Sequence, residues 1–350
     1  DSLLRVFINN VLAQTNAKQV DLVGHSAGGG LGRGYLLDSV NASKVSHYVH
    51  IGSRKRFKEF SWFPNARCLN IYSDADKVTG SSAGDVEGAV NLNLKDKDHY
   101  EVATSQETFS AIYAFLHEGA KPVMKNFKNA AAYITGKAVE LGSNEPLVNA
   151  RVELYVVHKK NGKRKYPKSP FVFTTDAQGN WGPFLADTLL HYELELIPSN
   201  SSARRISYFF EPFTLFNTHI YLRGFPQGGM IAMMLGSLPE KTDQSAIVLY
   251  SANKAMIAGR DSVTVNGIPV SSPALTPASR TIISSFIFDD GDRKTSGKGL
   301  KQFSAAPFIG GVDVSLPANH KRGNTIYFNG RKLVLPSAPS TQKIMLAVFN

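Results

Sequence analysis

Apolar positions fall into two regimes along this chain. In residues 2–14, Leu3, Leu4, Phe7, Ile8, Val11 and Leu12 recur at the spacing of one helix face, which predicts an amphipathic helix. A short apolar run at Val20–Val23 ends in glycine, and a glycine-rich helix is predicted from Gly28 to Leu37. Strands are predicted at Val45–Ile51, Cys68–Tyr72 and Val90–Leu94. A closing helix follows at Ala103–Leu116, with Phe109, Ile112, Tyr113 and Leu116 on one face. Strands alternating with helices imply a parallel sheet covered by helices. Residues 117–130, with Gly119, Pro122 and scattered lysines, read as a linker.

Beyond about residue 130 the helical period nearly vanishes. Alternating segments rich in β-branched and aromatic residues take over: Ala150–Val157, Phe171–Thr175 and Tyr192–Ile197, then Phe213–Leu222, Ala246–Ser251, Ser262–Val265, Thr281–Phe288, Thr325–Phe328 and Ile344–Phe349. Such segments read as strands. Asn161-Gly162 and Asp176–Asn180 are turn signals between them. Met230–Leu238 is the exception, a short helix. The fold class is therefore α/β plus all-β, with a break in the β-region near Pro198–Ser202. The expected division is 1–120, 129–200 and 203–350.

Composition narrows the classes. Of 350 residues, 43% are hydrophobic and 19% charged, which excludes wholesale disorder and a coiled-coil rod. No apolar run approaches the ~18 residues of a transmembrane segment. The single cysteine, Cys68, excludes an internal disulfide and a zinc–thiolate cluster and leaves the compartment unknown. The net charge of +11 is uneven: residues 1–128 carry 15 basic and 13 acidic side chains, and residues 129–350 the other 24 and 15. The basic residues are scattered, which argues against nucleic acid. Lys159, Lys160, Lys163, Arg164, Lys165 and Lys168 surround one hairpin turn. They read first as a solvated tip; the alternative is contact with anionic lipid head groups. No P-loop, G-x-G-x-x-G or metal-spaced cluster occurs. Asp289, Asp290 and Asp292 lack calcium-loop spacing and read as a solvated turn, so no metal and no cofactor is expected.

The informative string is Gly24-His25-Ser26-Ala27-Gly28, a G-x-S-x-G with a strand running into it and a helix leaving it. In that arrangement a tight turn lifts the serine clear of the sheet. Gly24 and Gly28 are expected where any Cβ would clash. The helix N-terminus supplies N–H groups to a developing oxyanion, that of Ala27 among them. A serine nucleophile needs a base and an orienting acid, in the chain order serine, acid, histidine. The loop after Cys68–Tyr72 offers Asp76, with Asp74 in reserve. The loop after Val90–Leu94 offers His99. His117, at a helix end, is a poorer base; His25 is assigned to packing or subsite lining, and His47 and His50 to ordinary strand positions.

These residues resemble the α/β-hydrolase lipases. Gly-His-Ser-Ala-Gly-Gly is similar to their elbow, Ser-Asp-Ala-Asp-Lys-Val to their acid loop and Asp98-His99 to their histidine loop. Residues 133–197 resemble a small β-sandwich of the transthyretin or carboxypeptidase-regulatory type. Residues 205–350 resemble the β-rich lipid-binding domain of archaeal-type lipases and their bacterial relatives. The resemblance implies the C-terminal part of an α/β-hydrolase sheet, then a small β-sandwich, then a larger β-rich domain. It implies a secreted or cell-envelope serine ester hydrolase acting on acylglycerols or another lipid or ester substrate, with Ser26, Asp76 and His99 as triad. An acyltransferase or polyester depolymerase with the same triad is the alternative, as is a non-catalytic surface-binding protein. Such a sheet has several strands before the elbow, whereas here one helix and one strand precede Ser26. The sequence is accordingly expected to be N-terminally truncated, without the second oxyanion donor and inactive or insoluble alone. The Met-rich stretch Met230, Met233 and Met234, with Phe209, Phe210, Phe213 and Phe216 upstream, reads by composition as core filling, the alternative being contact with lipid.

Overall fold

The computed structural model describes residues 2–55, 63–123, 131–168, 171–200, 202–226, 228–235 and 238–350. Two compact units emerge: Asp1–Met124 with Asn253–Ala255 and Ala278–Thr281, and the remainder. The expected linker falls in part on residues 124–130, outside the described residues, as does Ser201 at the expected break.

The first unit contains α1 (Ser2–Thr15), β1 (Val20–His25), α2 (Ala27–Leu36), α3 (Ser39–Ala42), β2 (Val45–Ile51), β3 (Cys68–Tyr72), β4 (Val90–Asn93), α4 (Glu101–Thr104) and α5 (Gln106–Leu116). The four strands lie side by side in chain order, all parallel. Alternation sorts their side chains onto two faces. Tyr48 and Cys68 pack under Ile8, Tyr35 and Leu36 on one face. Val49, Ile51, Leu69 and Ile71 pack against Val102, Ile112 and Phe115 on the other. With both faces covered, most residues of β2 and β3 are buried, the polar His50 and Asn70 among them. The predicted closing helix is two helices. Ser105 breaks it in extended geometry (φ −73°, ψ 154°), and its hydroxyl accepts from Thr108 N–H to cap α5, the usual N-cap chemistry of serine.

The second unit is β-rich. An eight-stranded mixed sheet runs in the order Ile309–Asp313, Ser284–Phe288, Ile247–Ser251, Ile344–Phe349, Ile206–Phe210, His191–Ile197, Arg151–Val157 and Phe171–Thr174. Strands from both sides of residues 198–202 are neighbours in it, since Ile206–Phe210 pairs antiparallel with His191–Ile197. One face packs on a three-stranded sheet of Asn217–Gly224, Ala131–Glu140 and Asn180–Asp187, around Leu154, Leu194, Tyr208 and Trp181. The other packs on a four-stranded sheet that includes Val263–Val265 and Asn324–Phe328, around Phe209, Leu249, Ala347 and Phe328. Ile206–Phe210, not anticipated from alternation, is buried along its whole length because both faces are covered. Phe209, Phe210 and Phe213 are therefore core residues and not a lipid-facing rim; Phe216 alone of the four is exposed, at 52%. The short helix is Gly229–Leu235. Within it Met233 is 77% exposed, while the side chains of Met230 and Met234 lie outside the described residues.

Candidate active site

The carboxyl ends of parallel strands gather loops at one edge of a sheet, which is where such sheets place their chemistry. Ser26 follows β1, Ser53 follows β2, Asp76 follows β3 and His99 follows β4. Ser26 sits at φ 54°, ψ −121°, between the strand and α2. A positive φ is strained for any residue with a Cβ, at about 1–3 kcal/mol, so surrounding contacts must hold it. Two contacts from the end of β2 do so: Ser26 N–H donates to Ile51 O at 3.0 Å, and Ser53 Oγ donates to Ser26 O at 2.7 Å.

The glycines divide the work differently from expectation. A Cβ on Gly24 would lie 2.5 Å from Gly28 O and 2.8 Å from Gly29 N. At Gly28 a Cβ would meet nothing within 4 Å. The close approach therefore belongs to Gly24, against the backbone of the first helical turn. Gly29 is the second tight position, with Ser53 Cβ 2.7 Å away.

The structure brings Ser26, His99 and Asp76 into one hydrogen-bonded line. His99 Nε2 lies 2.9 Å from Ser26 Oγ, and His99 Nδ1 lies 2.8 Å from Asp76 Oδ2. A carboxylate only accepts, so Nδ1 carries the proton and Nε2 is left to accept from the serine hydroxyl. His99 and Asp76 are buried and Ser26 is half-buried. Burial alone would raise the Asp76 pKa, but hydrogen bonds from His99 and Thr79 outweigh it and hold the carboxyl below the usual range. Asp76 Oδ1 accepts from the Val78 and Thr79 N–H groups, and Oδ2 accepts from Thr79 Oγ1 at 2.6 Å. Asp74 stands apart from this line; its Oδ2 accepts from Asn93 Nδ2. The Asp98 carboxylate accepts from the N–H groups of Tyr100 and Glu101 and so shapes the histidine loop. Ala27 opens α2, and its N–H belongs to the first turn, whose N–H groups have no acceptor within the helix.

Three supporting residues escaped the sequence reading. His25 Nε2 lies 2.8 Å from the carbonyl oxygen of His99, and the two imidazole rings sit 4.8 Å apart at 40°. Since the carbonyl only accepts, His25 Nε2 must be the protonated nitrogen. Burial first, and the nearby His99 second, lower the His25 pKa and favour its neutral form. Thr79 clamps Asp76, and the local signal for it was the spacing Asp76-x-x-Thr79. Ser73 Oγ donates to Lys97 O at 2.7 Å, tying the acid loop to the histidine loop. No local pattern marks Ser73 or His25, because their partners come from another loop. His50 is more than an ordinary strand position: it is buried, its pKa is pushed down to about 4 by burial, and its Nδ1 lies 2.8 Å from Tyr48 Oη. Tyr48 in turn donates to Gly29 O at 2.5 Å, bracing the start of α2.

Comparison with known families bears on the second unit. The lipase C-terminal domain family matches residues 130–224. Residues 130–224 are lipase-like. A second family, described as a C-terminal domain, matches residues 237–345. Both matches lie beyond the Ser26–His99–Asp76 cluster. The likeness to lipases is therefore confined to residues 130–224, and the candidate site rests on its own geometry. Among the described residues no helix is long and apolar enough to cross a membrane.

Proposed function

We propose that this chain carries the catalytic residues of a serine carboxylic ester hydrolase, with a lipase acting on acylglycerols as the favoured form. The observation that carries the reading is the line from Ser26 through His99 to Asp76, with spacings of 2.9 and 2.8 Å, on a serine held at positive φ between strand and helix. The lipase-like match at residues 130–224 supports lipid esters as the substrate class.

In this reading Ser26 Oγ attacks the ester carbonyl carbon while its proton passes to His99 Nε2. The carbonyl π-pair moves onto oxygen, and the Ala27 N–H at the head of α2 stabilises that oxyanion. Collapse expels the alcohol, which takes the proton from His99, and leaves an acyl group on Ser26. Water then repeats the sequence, with His99 as base and then acid, and releases the carboxylic acid. Asp76 keeps Nδ1 protonated and stabilises the transient imidazolium.

The test is covalent labelling by a fluorophosphonate, with the modified residue located by mass spectrometry and ester hydrolysis followed in parallel. Labelling at Ser26, abolished together with turnover in Ser26→Ala, is the expected result. Labelling elsewhere, or turnover that survives Ser26→Ala, overturns the proposal. Product analysis with added alcohol separates hydrolysis from acyl transfer, since both share the acyl-enzyme.

A further inference from the structure

The lysine-rich hairpin of the second unit exposes its lysines, as a solvated tip would, on a turn that is firmly held. Its turn is closed by hydrogen bonds from His158 N–H to Lys163 O and from Lys165 N–H to Val156 O, at 2.8 and 2.9 Å. Gly162 is buried at φ +67°, and a Cβ there would lie 2.3 Å from Val334 O. The turn is therefore seated against the neighbouring strand backbone. Arg164 points inward and pairs with Glu193 and Glu195. Lys159, Lys160 and Lys165 instead line an open cleft of about 520 Å³ together with His158 and His191. Among the described residues the lining includes no carboxylate. Leu189 and Leu190, from the turn between two other strands, complete the wall, and Leu189 is 84% exposed.

Cations and an exposed leucine on one rim answer two parts of one surface. The ammonium groups suit phosphate or carboxylate head groups, and a leucine at the same level suits the acyl boundary beneath them. A soluble anion would use the lysines and leave Leu189 without a role. A nucleic acid would call for arginine forks and broad Phe, Tyr or Trp platforms, and among the described residues the cleft lining contains neither, its only rings being His158 and His191. We propose that this cleft docks the protein on an anionic lipid surface, with Lys159, Lys160 and Lys165 on the head groups and Leu189 inserted between them. The proposal is independent of the role of Ser26.

Co-sedimentation with phosphatidylcholine vesicles, with and without phosphatidylserine, tests it. Wild-type protein is expected to prefer the anionic vesicles. Replacing Lys159, Lys160 and Lys165 together by glutamine should weaken that binding about a hundredfold, from ~1 kcal/mol per basic residue. The corresponding triple arginine variant should bind like wild type. Leu189→Ser should lose about tenfold, from ~1.5 kcal/mol for withdrawing one leucine from the interface, and this loss should persist at high salt, where the lysine contribution is screened. Equal binding to both vesicle types, or unchanged binding by the glutamine variant, overturns the proposal. So does loss of binding in the arginine variant. Inorganic phosphate bound by the protein with no vesicle binding identifies a free-anion site and overturns it as well. Fluorophosphonate labelling of the glutamine variant, unchanged from wild type, keeps this result separate from the catalytic reading.

Discussion

Asp76 carries more of the candidate site than a partner for His99. It receives two backbone N–H groups, a threonine hydroxyl and the imidazole, so its removal frees donors as well as the histidine. Asp76→Asn presents an amide that donates toward Nδ1 and favours the wrong tautomer of His99. The expected outcome is a fall in kcat of about 10⁴-fold with the fold retained, read from steady-state kinetics beside circular dichroism. His25 acts one step further out, on the main chain of His99. His25→Phe keeps an aromatic ring but loses the donor, and kcat should fall about five- to tenfold, the worth of one net hydrogen bond of ~1 kcal/mol, at unchanged KM. His25→Gln retains an N–H of similar reach and should restore most of the rate. Equal losses in both variants, accompanied by a lower Tm, would mark His25 as packing alone.

At the scale of elements, the junction of β1 and α2 turns on which glycine meets backbone. Gly24→Ala drives a methyl group into Gly28 O and Gly29 N. Neither atom belongs to a flexible side chain, so the strand–helix junction must shift. Overpacking of this kind costs about 1–3 kcal/mol, and activity should fall with it because Ser26 is two residues away. Gly28→Ala and Gly30→Ala meet nothing within 4 Å in α2. Each should stabilise the protein by up to about 1 kcal/mol, the advantage of alanine over glycine in a helix. Urea unfolding of the three variants checks the contrast; a Gly28→Ala as damaging as Gly24→Ala would refute the assignment.

The whole molecule should be acid-sensitive, for reasons that lie in both units. His50 is fully buried and its pKa is depressed from 6.5 to about 4. The unfolded chain binds a proton there that the folded chain does not, so stability is complete above about pH 6.5 and is lost as pH falls toward 4. Two and a half pH units correspond to about 3 kcal/mol. In the second unit, burial would raise the Glu193 pKa, but Arg164 and Lys343 outweigh it and hold it down. Its contribution is present above the ordinary glutamate value and is lost as pH falls below it. Urea midpoints should accordingly fall between pH 7.5 and pH 4.5, and His50→Phe should flatten that slope even if it is less stable at pH 7.5. Arg164 bonds both oxygens of Glu193 at 2.7 and 2.8 Å and lies over the Tyr155 ring. Arg164→Met leaves a buried carboxylate short of its partner and should cost about 3–5 kcal/mol, read from the same unfolding curves.

The sequence by itself determined what depends on neighbours along the chain. Helical spacing fixed α1, strands of β-branched, aromatic and other apolar residues between turn segments fixed β2 and β3 to the residue, and a glycine–serine–glycine string between strand and helix located the turn at Ser26. The order serine, acid, histidine, with one loop per strand, pointed to Asp76 and His99. Tertiary structure decided what depends on residues far apart. His25 reaches a carbonyl 74 positions away, and nothing near it in sequence distinguishes a positioning histidine from a packed one. Ile206–Phe210 is covered on both faces, so it lacks the alternation that betrays a half-buried strand, and the phenylalanines in and after it look the same in core or at a rim. Gly28 is open and Gly24 is tight only because the helix turns back over one of them. Local steric and hydrogen-bond preferences set the conformation of a segment, whereas the side a residue faces, and the groups waiting there, are set by the packing of segments against one another.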